Sequence, residues 1–160
     1  MGRKIGFTNR KVWVEYGPIW GYVYNRTVHN LAEIGDTFSL RGLAEPRIEP
    51  EIVFKLASAP ASGMDETALL ACIDWVAHGF EIVQSIFPGW KFSVPDAVAA
   101  FGLHGALLIG RRHSVTAYAE DWSRTLSTFE IDLKRDGTVA DHGCGTNVLD
   151  GPVFGAASSR

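Results

Sequence analysis

Between Arg47 and Leu56 the chain reads RIEPEIVFKL. Ile48, Ile52, Phe54 and Leu56 fall on one face of an extended segment, and Glu49 and Glu51 fall together on the other. The same two-residue alternation recurs in Phe129, Ile131 and Leu133 against Glu130, Asp132 and Lys134. Asp136-Gly137 follows, a pair suited to a two-residue hairpin turn. Further strands are predicted over residues 3–8, Trp20 to Tyr24, Thr37 to Leu40, Phe80 to Ser85 and Ala106 to Ile109. Helical spacing appears after Asp65, a suitable N-cap. Glu66 sits in the first turn, and Leu69, Ile73 and Val76 recur up to Gly79. A second, shorter helix is predicted over Asp96 to Phe101. From Gly151 onward the residues are small and polar, which predicts a disordered tail. Strands outnumber helices without regular alternation, so the class is α+β: a strand-dominated mixed sheet with one main helix.

A length of 160 residues fits one ordinary domain. A net charge of −3, with no basic run, removes the electrostatic reason to expect nucleic acid or an anionic membrane as partner. No secretory-type apolar segment and no run of about 18 apolar residues occurs, so a soluble, cytoplasmic protein is expected. Cys72 and Cys144 lack disulfide or zinc spacing. Cys72 is expected in the core and Cys144 in a loop.

The candidate chemistry lies in the carboxylates. Glu49 and Glu51, on one strand face at roughly 6–7 Å, repel each other unless solvent or a cation intervenes. The same alternation also fits the wet face of an amphipathic strand. Pro50 between them cannot donate to a sheet ladder, which predicts a sheet edge or an irregularity. Glu81 is flanked by Phe80, Ile82 and Val83, and a carboxylate among such neighbours is rarely buried unless paired, protonated or metal-bound. Three carboxylates suit Mg²⁺ or Mn²⁺, which take octahedral oxygen ligands. Lys4, in an otherwise apolar strand, is either a surface lysine or a charge close to that cage. His104 reads as a hydrogen-bonded core histidine and Asp96 as a helix cap or a pocket residue.

GRKIGFTN, WGYVYNRTV, PRIEPEIVFKL, ACIDWVAHGFEIVQS and WKFSVPDAVAAFGLHGALLIG occur in an order that resembles the fumarylacetoacetate hydrolase superfamily. Within it, the 2-keto-4-pentenoate hydratase and 4-oxalocrotonate decarboxylase branch is the most similar. The resemblance implies that residues 1–152 are the central part of such a catalytic domain, an incomplete barrel-like roll, with 153–160 as a tail. It implies a divalent metal on Glu49, Glu51 and Glu81, with Lys4 near the substrate as catalytic residue. Asn25, Asp96 and His104 are its substrate-binding candidates. The activity implied is hydration or decarboxylation of a small 2-oxo acid, such as 2-hydroxypenta-2,4-dienoate, through a metal-stabilised enolate. Two alternatives stay open: carbon-carbon hydrolysis of an acylpyruvate or other 1,3-diketo acid, and an inactive fragment or partner subunit. Dimers or larger assemblies are also implied. The chain departs from the branch at Asn25, where an acidic residue is usual, and at Leu103, where a serine is expected.

Overall fold

The computed structural model describes residues 1–8, 17, 19–116, 121–148 and 151–153. They separate into two compact units. Described residues 1–6, 19–53 and 77–112 form the first, and the remaining described residues form the second.

In the first unit, β1 (Gly2–Gly6) and β2 (Ile19–Val23) form an antiparallel pair that sets Lys4 opposite Gly21. The strand predicted over residues 3–8 stops at Gly6, because Phe7 takes a left-handed conformation at φ 60°. A four-stranded sheet has the order β3 (Val28–Asn30), β6 (His104–Ser114), β5 (Ile73–Val83), β4 (Arg47–Leu56), of which β3, β4 up to Val53, β5 from Ala77 and β6 up to Arg112 belong to this unit. β3 runs parallel to β6, with Val28 opposite Leu107. β4 has the predicted bounds and lies at a sheet edge, as Pro50 requires. On one face of this sheet Ile82, Ala106 and Leu108 form a buried cluster. Leu31, Ile34, Phe38, Leu43 and Phe80 pack against it. Phe38 joins through its side chain, and Thr37 to Leu40, expected as a strand, is irregular.

The helix expected up to Gly79 is a single turn, α1 (Glu66–Leu70). Its start is the predicted one, the Asp65 carboxylate accepting from the Ala68 amide at 2.8 Å. Ile73 and Val76 belong instead to β5, which runs into the strand predicted over Phe80 to Ser85 and ends at Val83, two residues before its predicted end. Every residue of β5 outside Asp74 and His78 is buried or half-buried, so its apolar run is almost continuous and carries no two-residue signature. Among the described residues there is thus no single main helix: α1, α2 (Val94–Ala99) and α3 (Trp122–Thr128) are all short.

The second unit contains α1, α3 and the expected hairpin, β7 (Glu130–Arg135) with β8 (Thr138–Cys144). Asp136 and Gly137 turn it with φ of 52° and 80°, the mirror-image turn that Asp-Gly favours. Cys72 is buried as expected, whereas Cys144 ends β8 instead of lying in a loop, and both are free thiols. Gly151 to Val153, predicted as the start of a disordered tail, are buried, Val153 at 1% exposure. Residues 154–160 lie outside the described residues. No helix among the described residues is long and apolar enough to cross a membrane.

The turn from Phe101 to Leu103 shapes the Lys4 end of the first unit. All three residues are left-handed, with φ of 54°, 65° and 62°, a conformation that only Gly102 adopts without steric cost. The turn lies so close to β2 that a Cβ on Gly21 would stand 2.7 Å from the Phe101 carbonyl oxygen. Gly21→Ala is therefore expected to destabilise the protein by about 1–3 kcal/mol. A chemical melt checks this, and an unchanged midpoint would show that the turn is not packed on β2.

Candidate metal centre

Glu49 and Glu51 leave the same face of β4, and Glu81 comes from β5 beside it in the sheet. One carboxylate oxygen from each lies within 4.8 Å of the other two. Glu81 is the buried member at 2% exposure, Glu51 is half-buried, and Glu49 opens to solvent.

Glu81 is held at both oxygens. Lys4 Nζ pairs with Oε2, and His104 Nδ1 lies 2.7 Å from Oε1. Lys4 also donates to the Gly102 carbonyl oxygen at 3.0 Å, so the left-handed turn aims the ammonium. His104 Nε2 is 2.8 Å from Thr27 Oγ1. A carboxylate this deeply buried is tolerated because both its acceptor atoms are satisfied.

Among the described residues, the other two carboxylates have no such support. Burial pushes Glu51 up to about 8; the neighbouring Glu81 charge adds to the rise, Lys4 opposes it and Glu49 adds a smaller share. Burial also raises Glu49, against the pull of Lys4, even though one side of this residue faces solvent. Three carboxylates close together, with one ammonium beside them, leave negative charge that a dication would balance. The spacing fits as well, since oxygens about 2.1–2.5 Å from one Mg²⁺ or Ca²⁺ ion lie within roughly 4–5 Å of each other.

Among the expected site residues, the structure brings together Lys4, Glu49, Glu51, Glu81 and His104. Asn25 is exposed and its side-chain oxygen accepts from the Met1 amino group at 2.9 Å. Asp96 closes a capping box at the start of α2, where the Ser93 hydroxyl and amide hold its carboxyl below the ordinary carboxylate range. Neither bond joins Asn25 or Asp96 to the acidic cluster. Thr27 and the Gly102 carbonyl are additions. The FGL turn signals Gly102 only as a glycine between two structured segments, and nothing in the sequence singles out Thr27. A cavity of about 670 Å³ in the first unit is lined by Phe38, Leu40, Ile48, Phe80, Ile82 and Leu108 among others, and by none of the three glutamates.

No protein-family model matches the chain. It is nevertheless similar along almost its whole length to hydratases and decarboxylases, the branch its motifs resemble. It is 31% identical over 163 aligned residues to 2-hydroxyhexa-2,4-dienoate hydratase of Comamonas testosteroni, covering 98% of this chain and 59% of the relative. It is 27% identical over 156 residues to a 4-oxalocrotonate decarboxylase of a Pseudomonas species, covering 96% of this chain and 57% of that one. The fold matches 4-oxalocrotonate decarboxylase from Pseudomonas putida G7, solved with magnesium and adipate. That match has a TM-score of 0.75 at 24% identity, over 95% of this chain and 56% of the other. The chain thus spans a little over half the length of these relatives.

The raised Glu51 carboxyl has a measurable consequence in chelator. Its pKa in the fold, about 8, lies above the ordinary 4.5, so its contribution to stability is full below the ordinary value and is lost as pH rises through 8. Glu51→Gln, permanently neutral, should melt above the parent at pH ~9, and the gap should close toward pH ~5. A gap that does not change with pH would show that Glu51 is not strained by its neighbours.

Proposed function

We propose that this chain carries the metal-binding centre of a divalent-metal-dependent hydratase or decarboxylase acting on a small 2-oxo acid. The observation that carries the reading is the convergence of Glu49, Glu51 and Glu81 within 4.8 Å, one of them buried and braced by Lys4 and His104. The similarity to enzymes named for this chemistry, one of them solved with magnesium, supports it. The incomplete barrel-like roll belongs to the same proposal.

The three glutamates would hold Mg²⁺ or Mn²⁺. When bound, such an ion acts as a Lewis acid toward the carboxylate and 2-oxo oxygens of a substrate. Lys4 uses two of its donor directions on Glu81 and the Gly102 carbonyl, which leaves its third ammonium proton for a substrate oxygen. In this arrangement Lys4 serves as a charged substrate ligand or proton donor. His104 keeps Glu81 turned toward the cluster, and the exposed side of Glu49 is where a small acid would enter.

Isothermal titration should show Mg²⁺ or Mn²⁺ binding by the parent, abolished in Glu51→Gln. Absence of heat at millimolar metal would remove the reading. With Mn²⁺ present, consumption of 2-hydroxypenta-2,4-dienoate or 4-oxalocrotonate is expected, whereas cleavage of an acylpyruvate alone would replace the lyase assignment with a hydrolase.

A further inference from the structure

The buried end of the acidic cluster continues outward through two hydrogen bonds. His104 Nδ1 is 2.7 Å from Glu81 Oε1, and its second ring nitrogen, Nε2, is 2.8 Å from Thr27 Oγ1. The His104 side chain is 5% exposed and that of Glu81 is 3% exposed, so water has little access to either. An imidazole bonded at both nitrogens has its ring rotation fixed. The group on one nitrogen therefore governs how the other is presented. A carboxylate only accepts, so Nδ1 presents its proton to Glu81; the Thr27 hydroxyl has one proton of its own and either gives it to Nε2 or gives it to the Tyr24 carbonyl while accepting from a protonated Nε2.

Thr27 is also rigidly mounted. It ends the turn Asn25–Thr27, and its Oγ1 lies 2.9 Å from the Tyr24 carbonyl oxygen. The next residue, Val28, pairs with Leu107 of β6, the strand that begins at His104. The imidazole thus stands on the first residue of β6 and the hydroxyl one residue before β3, the strand that pairs with it.

We propose that Thr27 is a positioning residue for the divalent-cation site: through His104 it fixes the orientation of the Glu81 carboxylate. This rests on the metal-site reading given above. Lys4 holds Oε2 and His104 holds Oε1, so the carboxylate cannot swing while both bonds persist. Removing the Thr27 hydroxyl frees the ring and, with it, one of the two restraints. A group bonded directly to a metal ligand, as His104 is to Glu81, typically changes metal affinity by about 10–100-fold when lost, and Thr27, one bond further out, is expected at the low end of that range.

Mn²⁺ binding, followed by the loss of the free-ion electron paramagnetic resonance signal, tests the inference on the parent, Thr27→Val, Thr27→Ser, His104→Gln and the Thr27→Val/His104→Gln double variant. Thr27→Val preserves shape and should bind Mn²⁺ about tenfold more weakly. Thr27→Ser restores the hydroxyl and should bind as the parent does. In the His104→Gln background, Thr27→Val should have no further effect, because the connection to Glu81 is already cut. Equal affinity for Thr27→Val and the parent, or an undiminished Thr27→Val effect without His104, overturns the inference and leaves the metal site standing. Failure of the parent to bind Mn²⁺ overturns the metal reading, and this inference with it. The side-chain ¹⁵N resonances of His104 in the metal-free parent give a readout that needs no variant. A shift characteristic of a hydrogen-bonded Nε2 is expected, and a solvent-averaged value overturns the assignment.

Discussion

The pairing of Glu81 with Lys4 and His104 is the interaction around which the first unit is organised. A carboxylate at 2% exposure would lose several kcal/mol of hydration if left alone. It is kept in place by an ammonium from β1 and an imidazole from the start of β6. β1, β5 and β6 are brought together at one carboxylate, and β4 adds two more carboxylates from its position beside β5. The resulting charge is unbalanced: Glu81 has its partners, while Glu51 and Glu49 are raised chiefly by burial and then by the charge of Glu81. A dication at the point where the three carboxylates meet would resolve that imbalance, which is the physical basis of the proposed metal site.

The parts of the site legible in the sequence were those with an internal contradiction. Two carboxylates on one strand face around a proline, and a carboxylate among Phe80, Ile82 and Val83, each require an explanation from pattern alone. Both lead to the observed cluster. The role of His104 was half legible. Its core, hydrogen-bonded setting is as expected, but its partner Glu81 lies 23 positions away, and only the neighbouring course of β5 and β6 joins them. Thr27 carries no pattern at all, since a threonine beside a turn is ordinary.

The fold shows the same division. β4 and the Asp136-Gly137 hairpin have clear alternation or turn chemistry, and both form where expected. Residues 71–79 mislead for a definite reason. Leu69, Ile73 and Val76 stand four and three apart, as on a helix face, but a strand enclosed on both sides accepts apolar residues at every position, so helical spacing can be picked out of it by chance. Trp75, Val76, Phe80, Ile82 and Val83, all β-branched or aromatic, were the better guide there.

The Phe101–Leu103 turn meets Lys4 through a main-chain oxygen, that of Gly102, and not through a side chain. The ammonium's anchor is thereby insulated from changes of side chain at position 101, where Phe101 is 49% exposed, provided the left-handed backbone path survives. Evolution can reshape the rim beside Lys4 by altering that ring while the charge beneath it keeps its address.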